Sequence, residues 1–333
     1  MGSEDNSIEG FHQARTWALK KKLSPKNSID PPAAKKDENG ELVANKSQLE
    51  NLYLNTYKNR LKPNPIKDSL IPLESLKEYL FEVRLQLASL RPTKQWTLED
   101  LNKALKSFKN HKARDSLGHT YELFKYGGTD LKLSLLRLCN LVNEKHIYPE
   151  TFQPSNITSI YKRKGDKADL NNDRGIFNVT KIRSILDKLI YNDKYEIIES
   201  SMSSSNIGAR KNRNIRDHLL VINSILHEAS KDKSVNIDIG IYDVKKCYDK
   251  LWYKETANDF FDSGVDDEHF VTVTNSNRNC QVAVKTPWGS TSPRKLLHEI
   301  EMQGTVLTSL KCAVQIDTLG KDSLKNKKNK DIL

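Results

Sequence analysis

Apolar residues recur at helical spacing through much of the chain. The stretches SQLENLYLNTYKNRL, which starts at Ser47, and LESLKEYLFEVRLQLASL, which starts at Leu73, each predict an amphipathic helix, because side chains three and four residues apart share one face. The prolines of KPNPIKD between them predict a turn. The same spacing predicts helices over about residues 130–145 and in the segments KIRSILDKLIYNDKYEIIESSM and IRDHLLVINSILHEAS.

A further helix is predicted to begin just after Thr97. Thr97 and Asp100 have the spacing of a capping box, in which each side chain accepts a hydrogen bond from the backbone N–H of the other residue. Leu101 and Leu105 lie four residues apart in the stretch that follows, so they share one face of the helix.

Two segments have the pattern of strands. Residues 157–161 are rich in β-branched side chains and lead into a basic turn that contains Gly, Asp and Asn. In residues 235–244 every second residue from Val235 to Ile241 is apolar, and Asp243 ends the same face. The C-terminal stretch QVAVKTPWGSTSPRK predicts two strands or a hairpin before a last helix. This mixture of helices and short strands indicates an α+β fold.

The composition favours a polyanionic partner. Lys and Arg number 54 against 43 Asp and Glu, which gives a formal net charge of +11. Nucleic acid is the first candidate, although many soluble proteins are basic without such a partner. The segment KKKLSPKNSIDPPAAKKDENGE, rich in Lys, Pro and Asn, predicts that residues 1–46 form a basic flexible linker.

Cysteine usage and hydropathy exclude several classes of protein. The four cysteines and eight histidines show neither the spacing of a zinc site nor that of a disulfide framework. A reducing compartment is therefore expected, nuclear or cytoplasmic, and not secretion. No apolar stretch approaches the ~20 residues that cross a bilayer, so no membrane partner is expected.

Asp243 is a candidate metal ligand. A carboxylate at the end of an apolar face can point into a cleft, where a hard cation such as Mg²⁺ takes oxygen ligands. The alternative is a helix N-cap, since Asp at a strand-to-helix junction accepts hydrogen bonds from free backbone N–H groups. The spacing alone leaves both roles open.

Three other segments have side chains that suit phosphates or bases. Basic residues flank a turn in which Gly165 and Gly175 permit close backbone approach: Lys162, Arg163, Lys164 and Arg174. A second basic group precedes the N-terminus of a predicted helix: Arg210, Lys211, Arg213 and Arg216. Gln303 and Gly304 combine an amide side chain with a residue that lacks Cβ. Taken singly, each segment has the alternative of an ordinary exposed loop or turn.

The order of these segments is more specific than any one of them. KNHKARDSLGHTYELFK, IYKRKGDKADLNNDRGI, NIGARKNRNIRDHLLVI, IYDVKKCYDKLW and EMQGTVL together resemble the fingers and palm of reverse transcriptases from non-LTR retrotransposons, over roughly residues 40–320. The resemblance implies a right-hand polymerase fold. After the linker it implies a helical N-terminal extension over 47–92, a fingers-like region over 93–234 and a partial palm over 235–333.

The resemblance also implies roles for single residues. The reaction would be two-metal DNA synthesis from an RNA template, a DNA primer and dNTPs, with Asp243 as the catalytic aspartate that binds Mg²⁺ or Mn²⁺. Tyr248 would screen the sugar 2′ position. The residues implied to contact the nucleotide or template are Lys162, Lys164, Arg174, Gln303 and Gly304, and the choice between the two lysines stays open. Those implied to contact nucleic acid are Arg210, Lys211 and Arg213.

The chain departs from the family pattern in three places. NIGAR has Asn206 and Ala209 where the family has Gln and Phe, and NDRGI replaces the commoner Arg-Pro-Ile. The Asp-Asp pair of the second metal motif does not occur in the 29 residues after Gly304, and neither does a thumb. Two-metal transfer needs carboxylates from both motifs, so the isolated chain is expected to be an inactive fragment.

Two other functions stay open. A non-catalytic nucleic-acid-binding remnant would keep the basic fingers without the chemistry. A nuclease that used Asp238 and Asp243 would lack the further His, Asp or Glu partners expected of such a site. An open reading frame after Leu333 that encodes Asp-Asp and a thumb would favour a truncated polymerase over the remnant.

Overall fold

The fold mixes helices and strands through the described part of the chain, which confirms the α+β prediction. The computed structural model describes residues 34–61, 71–231, 237–240, 248, 251, 253–278, 280–295 and 301–330. The helices in these ranges are α1 (Lys46–Arg60), α2 (Ile71–Ser89), α3 (Leu98–Ser107), α4 (Tyr121–Tyr126), α5 (Gly128–Lys145), α6 (Lys181–Ser201), α7 (Ile215–Ser230), α8 (Tyr253–Asp262), α9 (Glu268–Asn277) and α10 (Thr308–Lys330). The strands are β1 (Lys35–Lys36), β2 (Leu42–Val43), β3 (Pro154–Tyr161), β4 (Asp173–Asn178), β5 (Gln281–Thr286), β6 (Gly289–Ser290) and β7 (Arg294–Lys295).

The central strand of the larger sheet is β3. It pairs with β4 in antiparallel register, from Asn156↔Asn178 to Tyr161↔Asp173. On its other edge it pairs with β5 in parallel register. The strands β6 and β7 both pair with β5. The sheet therefore joins the middle of the chain to its C-terminal part.

The strand predictions had mixed outcomes. The strand over 157–161 is confirmed within β3, and the C-terminal hairpin is confirmed by β5 and β6. The strand over 235–244 is wrong for its described part, because residues 237–240 form no strand and are exposed. Apolar alternation produces a strand only beside a neighbour that accepts its hydrogen bonds, and β4 and β5 already occupy both edges of β3. Asp243 lies outside the described residues.

The predicted helices are confirmed, and their caps are visible. The N–H of Asp100 donates to Thr97 Oγ1 at 3.3 Å, and the N–H of Thr97 donates to the Asp100 carboxylate at 2.9 Å. The bond from the Thr97 N–H, with another from the Thr97 hydroxyl at 2.8 Å, holds the pKa of Asp100 below its usual value. A second capping box, between Asn214 and Asp217, starts α7. No helix in the described part of the chain is both long and apolar enough to cross a membrane.

Part of the expected linker folds onto the sheet. Within residues 1–46, the described residues 34–45 contain the antiparallel pair of β1 and β2. The side chain of Lys35 is fully buried there. α1 then covers the sheet, and Tyr53 and Tyr57 contribute to a core shared with Ile157 of β3.

A second and larger core lies among the helices. α2 packs against α8 and α9, where the ring of Phe81 meets the rings of Tyr253 and Phe270 edge-on, with centroids 6.3 Å apart in both pairs. Both sides of the interface between α2 and α8 carry ions: Lys77 pairs with Glu255 and Arg84 with Asp262.

One carboxyl group in the described part of this interface has no such lysine or arginine of its own. Burial, followed by the charges of Glu255 and Asp262, raises the pKa of Asp259 to about 7, although the charges of Lys77 and Arg84 act in the opposite direction. An unfolded aspartate titrates near pH 4, so between about pH 4 and 7 the folded protein binds the additional proton. The contribution of Asp259 to stability therefore falls as the pH rises through this window.

We expect Asp259→Asn to unfold at a higher urea concentration than the wild type at about pH 8, and at a similar concentration near pH 4. The matched control is Asp266→Asn, because Asp266 pairs with Arg91 where both side chains are exposed, and its charge is not one of those that raise the pKa of Asp259. Loss of that pair should not raise the stability at either pH. Parallel pH profiles for the wild type and Asp259→Asn would contradict the assignment.

Candidate nucleotide and nucleic-acid site

The hairpin of β3 and β4 carries Arg174 on an exposed face. Arg174 pairs with Ile160 across the ladder, and side chains that lie directly opposite share one face of a sheet. The N–H of Lys162 donates to the carbonyl of Asn172 at 2.8 Å, so the ladder continues beyond the strands. Lys162 and Arg174, both predicted to contact a triphosphate, are therefore brought to the same end of the hairpin.

The turn over residues 162–172 is built from local hydrogen bonds. Gly165 has a φ of +79°, and a Cβ there would lie 2.6 Å from the Asn172 side chain, so the turn requires glycine. Asp166 and Asp169 each accept a hydrogen bond at 2.8 Å from the backbone N–H two residues later. These two carboxylates therefore accept hydrogen bonds from the backbone of the turn. The basic side chains of the turn are exposed to solvent.

The two candidate lysines differ in their surroundings. Lys162 Nζ donates to the carbonyl of Asn171 at 3.1 Å, whereas Lys164 is exposed at the tip of the turn. Lys164 is therefore the better placed to meet an incoming anion. The expectation that Gly175 permits close approach to a phosphate is wrong: Gly175 is buried, and a Cβ there would lie 2.5 Å from the ring of Tyr57.

A buried ion pair holds the first residue of β4. Lys35 Nζ lies 2.8 Å from Asp173 Oδ2, and the two side chains are 0% and 2% exposed. The hydroxyl of Ser159 donates to the same oxygen at 2.6 Å. Arg60 donates to the carbonyls of Asp173 at 3.2 Å and Leu170 at 2.6 Å. The network attaches the hairpin to β1 and α1, and no sequence signal marked it, because the pattern around Lys35 is that of a linker.

The Gln303–Gly304 turn lies against the outer edge of β4. The N–H of Phe177 donates to the carbonyl of Gln303 at 2.9 Å. Gly304 has a φ of +106°, and a Cβ there would lie 3.0 Å from Ile176 Cγ2 and 3.1 Å from the carbonyl of Phe177. Ile176 and Arg174 are two residues apart and share a face of the strand. The structure therefore brings the Gln-Gly step and the basic hairpin together.

A second buried ion pair holds the segment that leads into Gln303. Lys311 Nζ of α10 donates to Glu301 Oε1, and the two side chains are 2% and 1% exposed. The pKa of nearby Asp187 is raised to about 6, chiefly by burial and also by the charge of Glu301, against the opposing charges of Arg183 and Lys311. The protein interior next to the Gln303–Gly304 turn therefore contains buried acidic and basic side chains whose charges offset one another.

Arg210 points into the protein. Its guanidinium donates to the carboxylate of Glu199 at 2.6 and 2.9 Å and to the carbonyl of Asn206 at 2.7 Å. These bonds hold the pKa of Glu199 below its usual value. The geometry therefore gives Arg210 a structural role within its loop. The exposed members of the predicted basic group are Lys211, Arg213 and Arg216.

Lys211 belongs to a patch on α6 that the sequence did not identify, here called the tyrosine–lysine patch: Lys188, Tyr191, Tyr195 and Lys211. Lys211 Nζ lies 3.7 Å from the ring centroid of Tyr195, and Lys188 Nζ lies 4.0 Å from that of Tyr191. Burial and the charge of Lys211 lower the pKa of Lys188. Tyr195 is buried, whereas Tyr191 is half-buried, so Tyr191 is the ring of the patch that a base could stack on, and the lysines suit phosphates. The spacing of Lys188, Tyr191 and Tyr195 on one helix face was the available signal.

The described residues include only part of the predicted catalytic centre. Tyr248 is half-buried in a helical conformation, and Asp243 lies outside the described residues. Among the residues that the structure describes, no group of three or more His, Cys, Asp or Glu side chains could hold a metal ion. A site for Mg²⁺ or Mn²⁺ would therefore depend on Asp243.

Comparison with models of protein families found no match to this chain, and comparison with curated proteins found none either.

Proposed function

We propose that this chain is the fingers and the first part of the palm of a reverse-transcriptase domain from a non-LTR retrotransposon. The observation that carries the proposal is the contact between the Gln303–Gly304 turn and β4, at 2.9 Å from the Phe177 N–H. In the family that the motifs resemble, the basic hairpin and the Gln-Gly step both face the incoming nucleotide. They must therefore be neighbours in space although they are distant in sequence.

The hairpin has the charges that a triphosphate needs. The planar guanidinium of Arg174 can form two parallel hydrogen bonds to phosphate oxygens, and the ammonium of Lys164 adds a compact charge. The buried pair of Lys35 and Asp173 fixes the base of the hairpin. A hairpin that is already ordered loses less conformational entropy when the nucleotide binds.

The Gln-Gly step suits the base and template side of the same nucleotide. Because Gly304 has no Cβ, the turn can lie directly against Ile176 and Phe177 of β4, which keeps Gln303 beside the basic hairpin. The amide of Gln303 can both donate and accept hydrogen bonds. Tyr248 is assigned to the sugar 2′ position, and Mg²⁺ or Mn²⁺ bound through Asp243 would supply positive charge at the phosphates.

These 333 residues contain no Asp-Asp pair after Gln303. We therefore expect the chain to bind an RNA template, a DNA primer and a dNTP without joining them. The tyrosine–lysine patch and Arg213 offer a second contact for the nucleic-acid strand.

The test is the binding of an RNA–DNA hybrid with a recessed primer end, followed by fluorescence anisotropy. We expect the affinity to fall steeply with salt, and a dNTP complementary to the next template base to tighten the complex. Arg174→Ala should weaken the nucleotide effect at least about tenfold, because hydrogen bonds to charged groups contribute about 1.5–3 kcal/mol.

The matched control is Arg137→Ala, which removes one exposed guanidinium from α5 and should keep the nucleotide effect. Salt-dependent binding that does not respond to the complementary dNTP would support the non-catalytic nucleic-acid-binding remnant instead. An affinity for the hybrid that does not change with salt concentration would contradict both functions.

A further inference from the structure

The loop between α3 and α4 carries three exposed cations that the proposed site does not use. It spans residues 109–119 and is here called the basic loop, and its cations are Lys109, Lys112 and Arg114. It lies within KNHKARDSLGHTYELFK, the first of the five segments on which the family resemblance depends. In the part of the chain that the structure describes, no hydrogen bond or ion pair engages the charged groups of these three side chains. They are therefore available to an anionic ligand.

The carboxylate of the basic loop binds the backbone and not the cations. Asp115 is the one acidic residue among residues 109–119, and its side chain is fully buried. Its Oδ1 accepts hydrogen bonds from the N–H of Leu117 at 3.0 Å and from that of His119 at 2.8 Å. Its Oδ2 accepts one from the N–H of Lys181 at 2.7 Å, which attaches the loop to the start of α6. The loop is therefore held in one shape with its positive charges directed to solvent.

Side chains of β4 bring the basic loop into line with the proposed nucleotide site. The amide of Asn178 donates to the carbonyl of Arg114 at 2.9 Å. Arg174, Ile176 and Asn178 are alternate residues of β4, so they share one face of the strand. Along this face the first is assigned to the triphosphate, the second meets Gly304, and the third holds the basic loop. The row is about 13 Å long, because each residue of a strand advances about 3.3 Å.

A row of this length matches a short stretch of nucleic-acid backbone. Each strand of a duplex carries one phosphate for about every 3.4 Å of helix axis, so about 13 Å corresponds to about four base pairs. Lysine and arginine side chains on an ordered loop neutralise phosphates at a low cost in conformational entropy. We propose that the basic loop binds the phosphate backbone of the RNA–DNA hybrid, about four base pairs from the incoming nucleotide. This inference rests on the proposed function and adds a strand contact to it.

The salt dependence of hybrid binding tests the proposal, because each neutralised phosphate releases counterions and steepens the slope of log K against log[salt]. The triple variant Lys109→Ala, Lys112→Ala, Arg114→Ala should bind the hybrid more weakly, with a slope that is less steep by about 2–3. It should keep the tightening by the complementary dNTP, because the loop contacts the hybrid and not the nucleotide. The charge-conserving variant Lys109→Arg, Lys112→Arg, Arg114→Lys should keep the wild-type slope.

The matched control is Lys46→Ala, Lys94→Ala, Arg137→Ala, which removes two lysines and one arginine from exposed positions on separate parts of the chain. It should keep the wild-type slope, and urea unfolding followed by circular dichroism checks that every variant is folded. The two proposals fail separately. A wild-type slope in the basic-loop variant, or an equal change of slope in the control, overturns the inference. The response of the wild type to the complementary dNTP still decides the proposed function.

Discussion

Replacement of Lys35 by methionine is expected to lower the free energy of unfolding by about 3–5 kcal/mol, which is the usual cost when one partner of a buried ion pair is removed. Asp173 would keep its carboxylate in an interior where its side chain is 2% exposed. The hydroxyl of Ser159 would still donate to Oδ2, but a neutral donor does not compensate the charge. Methionine keeps the apolar stem of the lysine, so the loss reports the unpaired charge and not a cavity.

The adjacent lysine provides the control. Lys36 also pairs with an aspartate of the same hairpin, Asp166, at 2.8 Å, but these side chains are 42% and 48% exposed. Water solvates both ions when the pair is broken, so Lys36→Met should leave the stability nearly unchanged. Urea unfolding followed by circular dichroism measures both variants. Equal effects at the two positions would show that the buried pair does not hold the hairpin.

The cost of Lys35→Met should also appear locally. The network joins β1 and α1 to the turn over residues 162–172 through Lys35, Arg60 and Asp173. Once the charge of Asp173 is unpaired, the cheapest response is for the turn to open to water. We expect faster hydrogen exchange at the amides of this turn, and a weaker effect of dNTP on the hybrid complex.

The helices could be predicted because their signals are local. The capping pair of Thr97 and Asp100 specifies a helix start without reference to the rest of the chain. The pairing of β3 with β5 is different, because Ile157 and Val284 meet across a parallel register although they are far apart in sequence. Nothing within either strand identifies its neighbour. For the same reason the alternation at Ile237 and Ile239 predicted a strand where the structure has none.

The candidate site likewise combines features that the local sequence reveals with contacts that only the fold creates. The sequence identified the basic turn and the Gln-Gly step as two separate features, and the hydrogen bond between Phe177 and Gln303 is a property of the fold. The sequence shows where each arginine lies along the chain, but it does not show which group the guanidinium will contact. Glu199 and the loop carbonyls engage Arg210, whereas Arg174 lies on an exposed face.

Apolar periodicity can locate a helix correctly without showing which of its faces will be buried. The apolar spacing predicted α2 and a single buried face. The structure instead buries Phe81 and leaves Leu76 and Leu87 exposed. Apolar spacing alone therefore does not decide which of two apolar faces meets the core, because that depends on the elements packed against the helix.

Loss of the second buried cation should be as severe as loss of Lys35. Lys311→Met removes the partner of Glu301, and we expect the free energy of unfolding to fall by about 3–5 kcal/mol. The control is Lys231→Met, just after α7. Lys231 pairs with Glu228 at 2.7 Å where the two side chains are 58% and 70% exposed, so this variant should differ little from the wild type.

A double variant separates the unpaired charge from the lost packing. Lys311 also lies over the rings of Tyr253 and Phe260, at 5.2 and 5.9 Å from their centroids. If the cost arises from the bare carboxylate of Glu301, Glu301→Leu introduced together with Lys311→Met should restore most of the stability, because apolar replacement of both ions is often neutral. If the cost arises from the ring contacts, the double variant stays as unstable as Lys311→Met. Urea unfolding of the wild type, both single variants and the double variant therefore decides whether electrostatic compensation or packing holds the segment that carries Gln303.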